Sequence, residues 1–263
     1  MSEREVRSGT RAARRPADGL LAVQSLPAGA NVADKKIAPR LFVIFAREAH
    51  EAVIFRRGPS AWFHIIRWNT KNDKFYPGAW LKGRIYPEKC DLSPDGELLL
   101  SFIHQGRSLK TDYKDSWSSI SRSPWLHALG LWSQGTTYGG GGRFTDNRSA
   151  VLRFYPVAAH PNHPGAGLNV SFIATDTSFA RETDLAPLHR STQEIAGVEW
   201  TGRDQRGRLI YTADGKLMCA GTKTRQATCL ADFNNLVPDP QPPSFSATAP
   251  VGAKKRQRRV GPK

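Results

Sequence analysis

Cysteine is scarce in this chain of 263 residues, which holds three: Cys90, Cys219 and Cys229. That is too few for a disulfide scaffold, and an odd count leaves one thiol over in an oxidising space, so all three are read as reduced. Long apolar runs are missing as well. The longest, Leu41 to Ala46 and Ala52 to Phe55, fall far short of the ~20 residues that span a bilayer. The charged start MSEREVRSGTRAARRPADG is followed only by GLLAV, too short for the apolar region of a signal peptide. These absences predict a cytoplasmic protein with no membrane span. Acids are in deficit too, at 23 Asp and Glu against 38 Lys and Arg, for a net charge of +15.

What is present argues for a folded core with basic ends. Hydrophobic content of 39% and seven Trp exclude wholesale disorder. Residues 1–40 carry eight Lys or Arg against four acids with no sustained period, and read as a disordered basic tail. Residues 237–263 are Pro-rich, carry six Lys or Arg against one acid, and read as a second disordered tail. Residues 41–236 between them form the predicted domain, and more than half of the net charge lies outside it.

Within that domain the apolar bursts are short. LFVIFA (41–46), AVIFRR (52–57), WFHIIRW (62–68), ELLLSFI (97–103), AVLRFYPV (150–157), LNVSFIAT (168–175) and RLIYTADGKLMCA (208–220) are rich in branched and aromatic residues and are separated by Gly, Pro, Asn and Asp. They read as strands. WFHIIRW places Trp62, His64, Ile66 and Trp68 on one face and Phe63, Ile65 and Arg67 on the other, which predicts a sheet covered on both sides. Ser93-Pro94-Asp95-Gly96 and Asp214-Gly215 are hairpin turns by their chemistry, and Asp204-Gln205-Arg206-Gly207 resembles them.

The segment Asp91-Leu92-Ser93-Pro94-Asp95-Gly96-Glu97-Leu98-Leu99-Leu100 is similar to repeats of the WD40-like and TolB-like β-propeller type. There an S-P-D-G turn leads into an apolar strand. Asp204 to Tyr211 and Asp214 to Leu217 match more loosely. The stretch from Arg56-Arg57-Gly58-Pro59-Ser60 through Trp80 to Tyr86, Cys90 to Gly96 and Gly139-Gly140-Gly141-Gly142 resembles a family of uncharacterised bacterial proteins over about 180 residues. The resemblance implies an all-β fold, a small propeller-like array of about four to five antiparallel meander blades, and transfers no catalytic residue. A β-sandwich is the structural alternative. Six Trp between 62 and 132 suit large side chains wedged between sheets.

Candidate sites are few. Gly139 to Gly142 lacks the Lys-Ser or Lys-Thr and the following helix of a phosphate loop, so it reads as a sharply bent connection. His160-Pro161-Asn162-His163-Pro164 has two imidazoles three apart but no recognised partners for a metal, and reads as an exposed Pro-rich connection. His64, His104 and His127 read as core or rim residues, and Asp91, Asp95, Asp112 and Asp115 as turn residues. No catalytic residue, cofactor or metal ligand is assigned. The dense charge is Lys254, Lys255, Arg256, Arg258 and Arg259, which attracts phosphates without sequence preference. Arg56, Arg57, Lys82 and Arg84, with Lys89, lie near Trp62, Trp80 and Tyr86, a composition compatible with stacking plus phosphate contact. The expected function is non-catalytic binding or scaffolding with a protein partner. A nucleic-acid-associated protein with nonspecific binding through its tails, and a hydrolase with a site at the propeller mouth, are the alternatives.

Overall fold

A computed structural model describes residues 37–58, 60–106, 112–174, 197–221 and 226–252, all within one compact unit that runs from Ile37. Almost all regular structure is strand. The first sheet is an antiparallel meander of β1 (Arg40–Phe45), β2 (Glu51–Arg57), β3 (Trp62–Asn69) and β4 (Lys74–Lys82). The second contains β5 (Arg84–Ile85), β6 (Asp91–Leu92), β7 (Leu98–His104), β8 (Ser116–Arg122) and β9 (Ala128–Ser133), with β5 and β6 both paired to β7. The third holds β10 (Gly142–Phe144), β11 (Ser149–Leu152) and β12 (Asn169–Phe172). The β11–β12 pair is parallel, a departure from uniform antiparallel meanders. The fourth is the meander β13 (Trp200–Arg203), β14 (Leu209–Ala213), β15 (Lys216–Cys219) and β16 (Thr228–Asp232).

Strand alternation sorts the core into three layers. Along β2, Val53 and Phe55 pack with Leu92, Leu99 and Ile103 of the second sheet. Their neighbours Ala52 and Ile54 pack with Trp200, Ile210 and Leu217 of the fourth. The first sheet is therefore buried on both faces, as the unbroken apolar texture of its strands requires. On the second sheet, Leu98 and Leu100 turn instead toward Phe144, Ala150 and Leu152 of the third. Each fully buried Leu or Ile contributes about 1.5–3 kcal/mol of transfer free energy, so these three interfaces carry the fold. Trp68 and Trp200 are buried together between the first and fourth sheets, and Trp132 lies between the second and third.

The turns behave as their chemistry predicts. Asp214 and Gly215 both adopt positive φ (48° and 72°) in a two-residue hairpin whose flanking pair is Ala213 and Lys216. Ser93 to Gly96 closes β6 onto β7, with Ser93 donating from Oγ to Asp95 at 2.6 Å. The glycine loop is bent and tightly seated. Gly139, Gly140 and Gly141 all have positive φ, and a Cβ on Gly141 would run into the Lys89 carbonyl.

Two stretches differ from the sequence reading. His160-Pro161-Asn162-His163-Pro164 is a connection exposed only in part: Pro161, Asn162 and Pro164 are exposed, but His160 is buried, stacked on Tyr113 at 4.3 Å, and the chain pairs across to β9. The aromatic rings supply a packing surface that the prolines had masked. Val237 to Gly252, read as part of a disordered tail, lies against the sheets over part of its length. It contains a one-turn helix α1 (Phe245–Thr248), capped by Ser244, with Ala247 buried and Val251 packed on the third layer of core.

Candidate functional site

The two ends of the strands differ, and each forms a concavity. At the end where β2 begins, β3 ends and β7 begins lies a cleft of about 1130 Å³. Glu51, Arg67 and Tyr76 come from the first sheet, Glu97, Arg122 and Trp125 from the second, and Arg148 from the turn before β11. The segment Ser244 to Gly252 runs along it. Arg122 donates from Nε to the Ala249 carbonyl (3.3 Å) and from Nη2 to that of Pro250 (3.1 Å). Phe245 stands at the mouth, 90% exposed.

Charge at this end is largely balanced by ion pairs. Arg67 meets Glu51 at 2.8 Å and Arg122 meets Glu97 at 3.8 Å. Toward the fourth sheet, Arg208 bridges Asp73 and Asp204, at 2.8 Å and 2.7 Å, with the Asp204 side chain fully buried. The Arg208 hydrogen bond holds the Asp73 carboxyl below its usual range. Asp91 accepts from the Phe144 amide at 2.7 Å and from Arg47 at 3.2 Å, tying three sheets together. Burial nonetheless raises its pKa, because desolvation outweighs these donors.

At the opposite end, where β2 and β7 finish, is a smaller notch of about 290 Å³. Arg57, Phe63, Arg84, His104 and Gln105 line it, and none of its described lining residues is acidic. Arg84 lies over the Tyr86 ring at 4.9 Å, and Gln105 donates to the Lys82 carbonyl at 3.2 Å. Neither arginine makes an ion pair with any described residue. Asp115 stands 4.0 Å from His104 Nε2.

The structure divides the predicted cations. Arg57 and Arg84 meet in the notch, and Lys82 is exposed beside it. Arg56 is a correction: it is buried at 2% exposure and donates to the carbonyls of Gly58, Phe233, Asn234 and Leu236, so it fastens the chain after β16 and has no free surface for a phosphate. Lys89 is likewise spent, donating to the carbonyls of Thr137 and Gly139. Lys254, Lys255, Arg256, Arg258 and Arg259 lie outside the described residues. No protein-family model, curated protein or solved structure matches the chain.

Histidine surroundings are distinctive. Arg56, His64 and Trp80 are cross-strand partners on three successive strands. His64 stacks on Trp80 at 4.1 Å, both of its nitrogens lack a hydrogen-bond partner, and burial with the Arg56 charge lowers its pKa to about 4. His163 donates from Nδ1 to the Ala128 carbonyl when Nε2 faces the Tyr113 hydroxyl as acceptor, at 2.8 Å and 3.3 Å, and desolvation lowers its pKa. His127 and His160 stand within 6.2 Å and 5.7 Å of its ring. Among the described residues, no group of three or more His, Cys, Asp or Glu is placed to hold a metal ion. No helix among them is long and apolar enough to cross a membrane.

Sequence reasoning missed the cleft altogether. Its residues are scattered over 200 positions, and the prolines of the segment that forms one wall read as a tail. The available signal was local: Ser244 three residues before Ala247, an N-cap position, followed by the apolar Ala249-Pro250-Val251.

Proposed function

We propose that the protein is a non-catalytic binding module whose cleft receives a polypeptide segment. The observation that carries this reading is that one wall of the cleft is a segment of the chain itself, Ser244 to Gly252, held to Arg122 through its backbone. That wall contributes the Ala249 and Pro250 carbonyls to Arg122 and seats one small side chain, Ala247 of α1, in a buried position. Backbone capture plus a shallow side-chain pocket is how extended peptides are generally recognised. Tyr76 and Trp125 add aromatic surface beside the pairs Arg67–Glu51 and Arg122–Glu97, a mixture suited to a polypeptide.

The reading includes a propeller-like scaffold related to the WD40-like and TolB-like type. It is supported by the packing order: fourth sheet on first, first on second, second on third. One strand from each sheet, β13, β1, β6 and β10, lies beside the next, as innermost strands of four blades do.

The test uses a synthetic peptide of residues 237–252 added to the full-length chain. The tethered segment competes at an effective concentration on the order of millimolar, so the unaltered protein binds added peptide poorly. Ala247→Asp in the protein releases the tethered copy, and added wild-type peptide then binds at least about tenfold more tightly by fluorescence polarisation. Adding Arg122→Ala removes the gain. Equal binding to both proteins, or none to either, contradicts the proposal.

A further inference from the structure

We infer that the notch between the first and second sheets binds the phosphodiester backbone of nucleic acid. This inference is independent of the polypeptide cleft, which lies at the other end of the strands.

Arg57 and Arg84 enter the notch from different sheets, and no residue lining it is acidic. Two guanidinium groups with no carboxylate partner among the described residues leave donors directed to solvent or ligand. Such forks match phosphate oxygens in geometry as well as charge. Arg84 is partly preorganised by lying over Tyr86, so less side-chain entropy is lost when it binds. His104 adds an imidazole beside them, with Asp115 4.0 Å from its Nε2.

The volume of about 290 Å³ admits one phosphate with part of its sugar, a protruding group rather than a flat surface. Lys82 is exposed beside Arg84, which continues the charge past the notch. Trp62 stands half-buried at the same end of the first sheet, edge-on to Trp80 at 6.4 Å, offering ring surface to a base. The chain's charge of +15 steers a polyanion toward any such site. A single small phosphate would use two arginines but neither Lys82 nor Trp62.

The experiment is fluorescence anisotropy of a labelled oligothymidylate of about 12 nucleotides with the full-length chain, between about 50 and 300 mM salt. Arg57→Gln with Arg84→Gln removes two phosphate contacts. The slope of log K against log salt then becomes shallower by about 1.4, at roughly 0.7 per phosphate for a single strand. Affinity at the lowest salt falls about tenfold. A Lys254→Gln, Lys255→Gln chain that retains its notch loses affinity but keeps the response to the arginine changes. An unchanged slope in the arginine variant overturns the inference, as does no binding by the unaltered chain. Displacement of the oligonucleotide by inorganic phosphate at equal phosphate concentration also overturns it, by assigning the notch to a small free anion.

Discussion

The two ends of the central strands solve opposite electrostatic problems. Where β2 starts, arginines are paired: Arg67 with Glu51, Arg122 with Glu97, Arg208 with Asp73 and Asp204. Five and six residues later along the same strand, Arg56 is buried against carbonyls and Arg57 faces a notch with no acid among its described lining residues. Cations matched by carboxylates stabilise a closed surface over which a polypeptide can lie. Cations left unmatched repel one another modestly and await an anion. The difference lies in the partners, since the same residue type serves both ends.

Breaking the paired end has the largest expected effect. Arg208→Ala strands the buried Asp204 carboxylate and strips Asp73 of its main partner. Stability measured by urea unfolding then falls by about 3 kcal/mol, within the range for a buried pair broken on one side.

A smaller effect separates the interior of the unpaired end from its surface. The imidazole of His64 is held neutral in the folded chain with a pKa near 4, below its ordinary 6.5. Below pH 6.5 the unfolded state therefore binds the proton more readily. Stability is fully present above that pH and is lost as pH falls from 6.5 toward 4. After discounting for partial solvent screening the loss is about 2 kcal/mol. His64→Phe retains a ring against Trp80 and flattens the acid limb of stability against pH, read by chemical denaturation at pH 7 and pH 4.5. An unchanged acid limb contradicts the assignment to His64.

The smallest effect sharpens the contrast. Arg57→Gln and Arg84→Gln, on groups without ion pairs to described residues, each change stability by less than about 0.5 kcal/mol in the same urea assay. A loss comparable to that of Arg208→Ala shows that the notch cations hold the fold.

Much of the architecture was legible from strand texture, and its gaps have physical causes. The apolar bursts at 41–46, 52–57, 62–68 and 97–103 became β1, β2, β3 and β7 because both faces of each are covered. β8 escaped notice because it is built on serines. Ser118, Ser119 and Ser121 are buried with their hydroxyls bonded to Gln134, Ser101 and the Trp125 carbonyl, partners that only the fold supplies. β4 contains Pro77 and Gly78, which argue against a strand, yet Gly78 is needed where Pro124 of the next sheet presses on it.

The site was half legible. Arg56 and Arg57 were read together, although a period of two already puts Arg56 on the inward face with Ala52 and Ile54. The cleft was not legible, because it depends on Arg122 meeting carbonyls 127 and 128 residues away.

The distinction between the ends is tested most directly by titrating one sample, the Ala247→Asp chain, with both probes across a range of salt. The 237–252 peptide carries a single charged side chain, Asp239, so its affinity is expected to change little with salt, whereas that of oligothymidylate falls steeply. Each probe is expected to leave the other's affinity unchanged. Mutual displacement with a shared steep salt dependence would instead mean one undifferentiated cationic surface, contradicting two chemically separate ends.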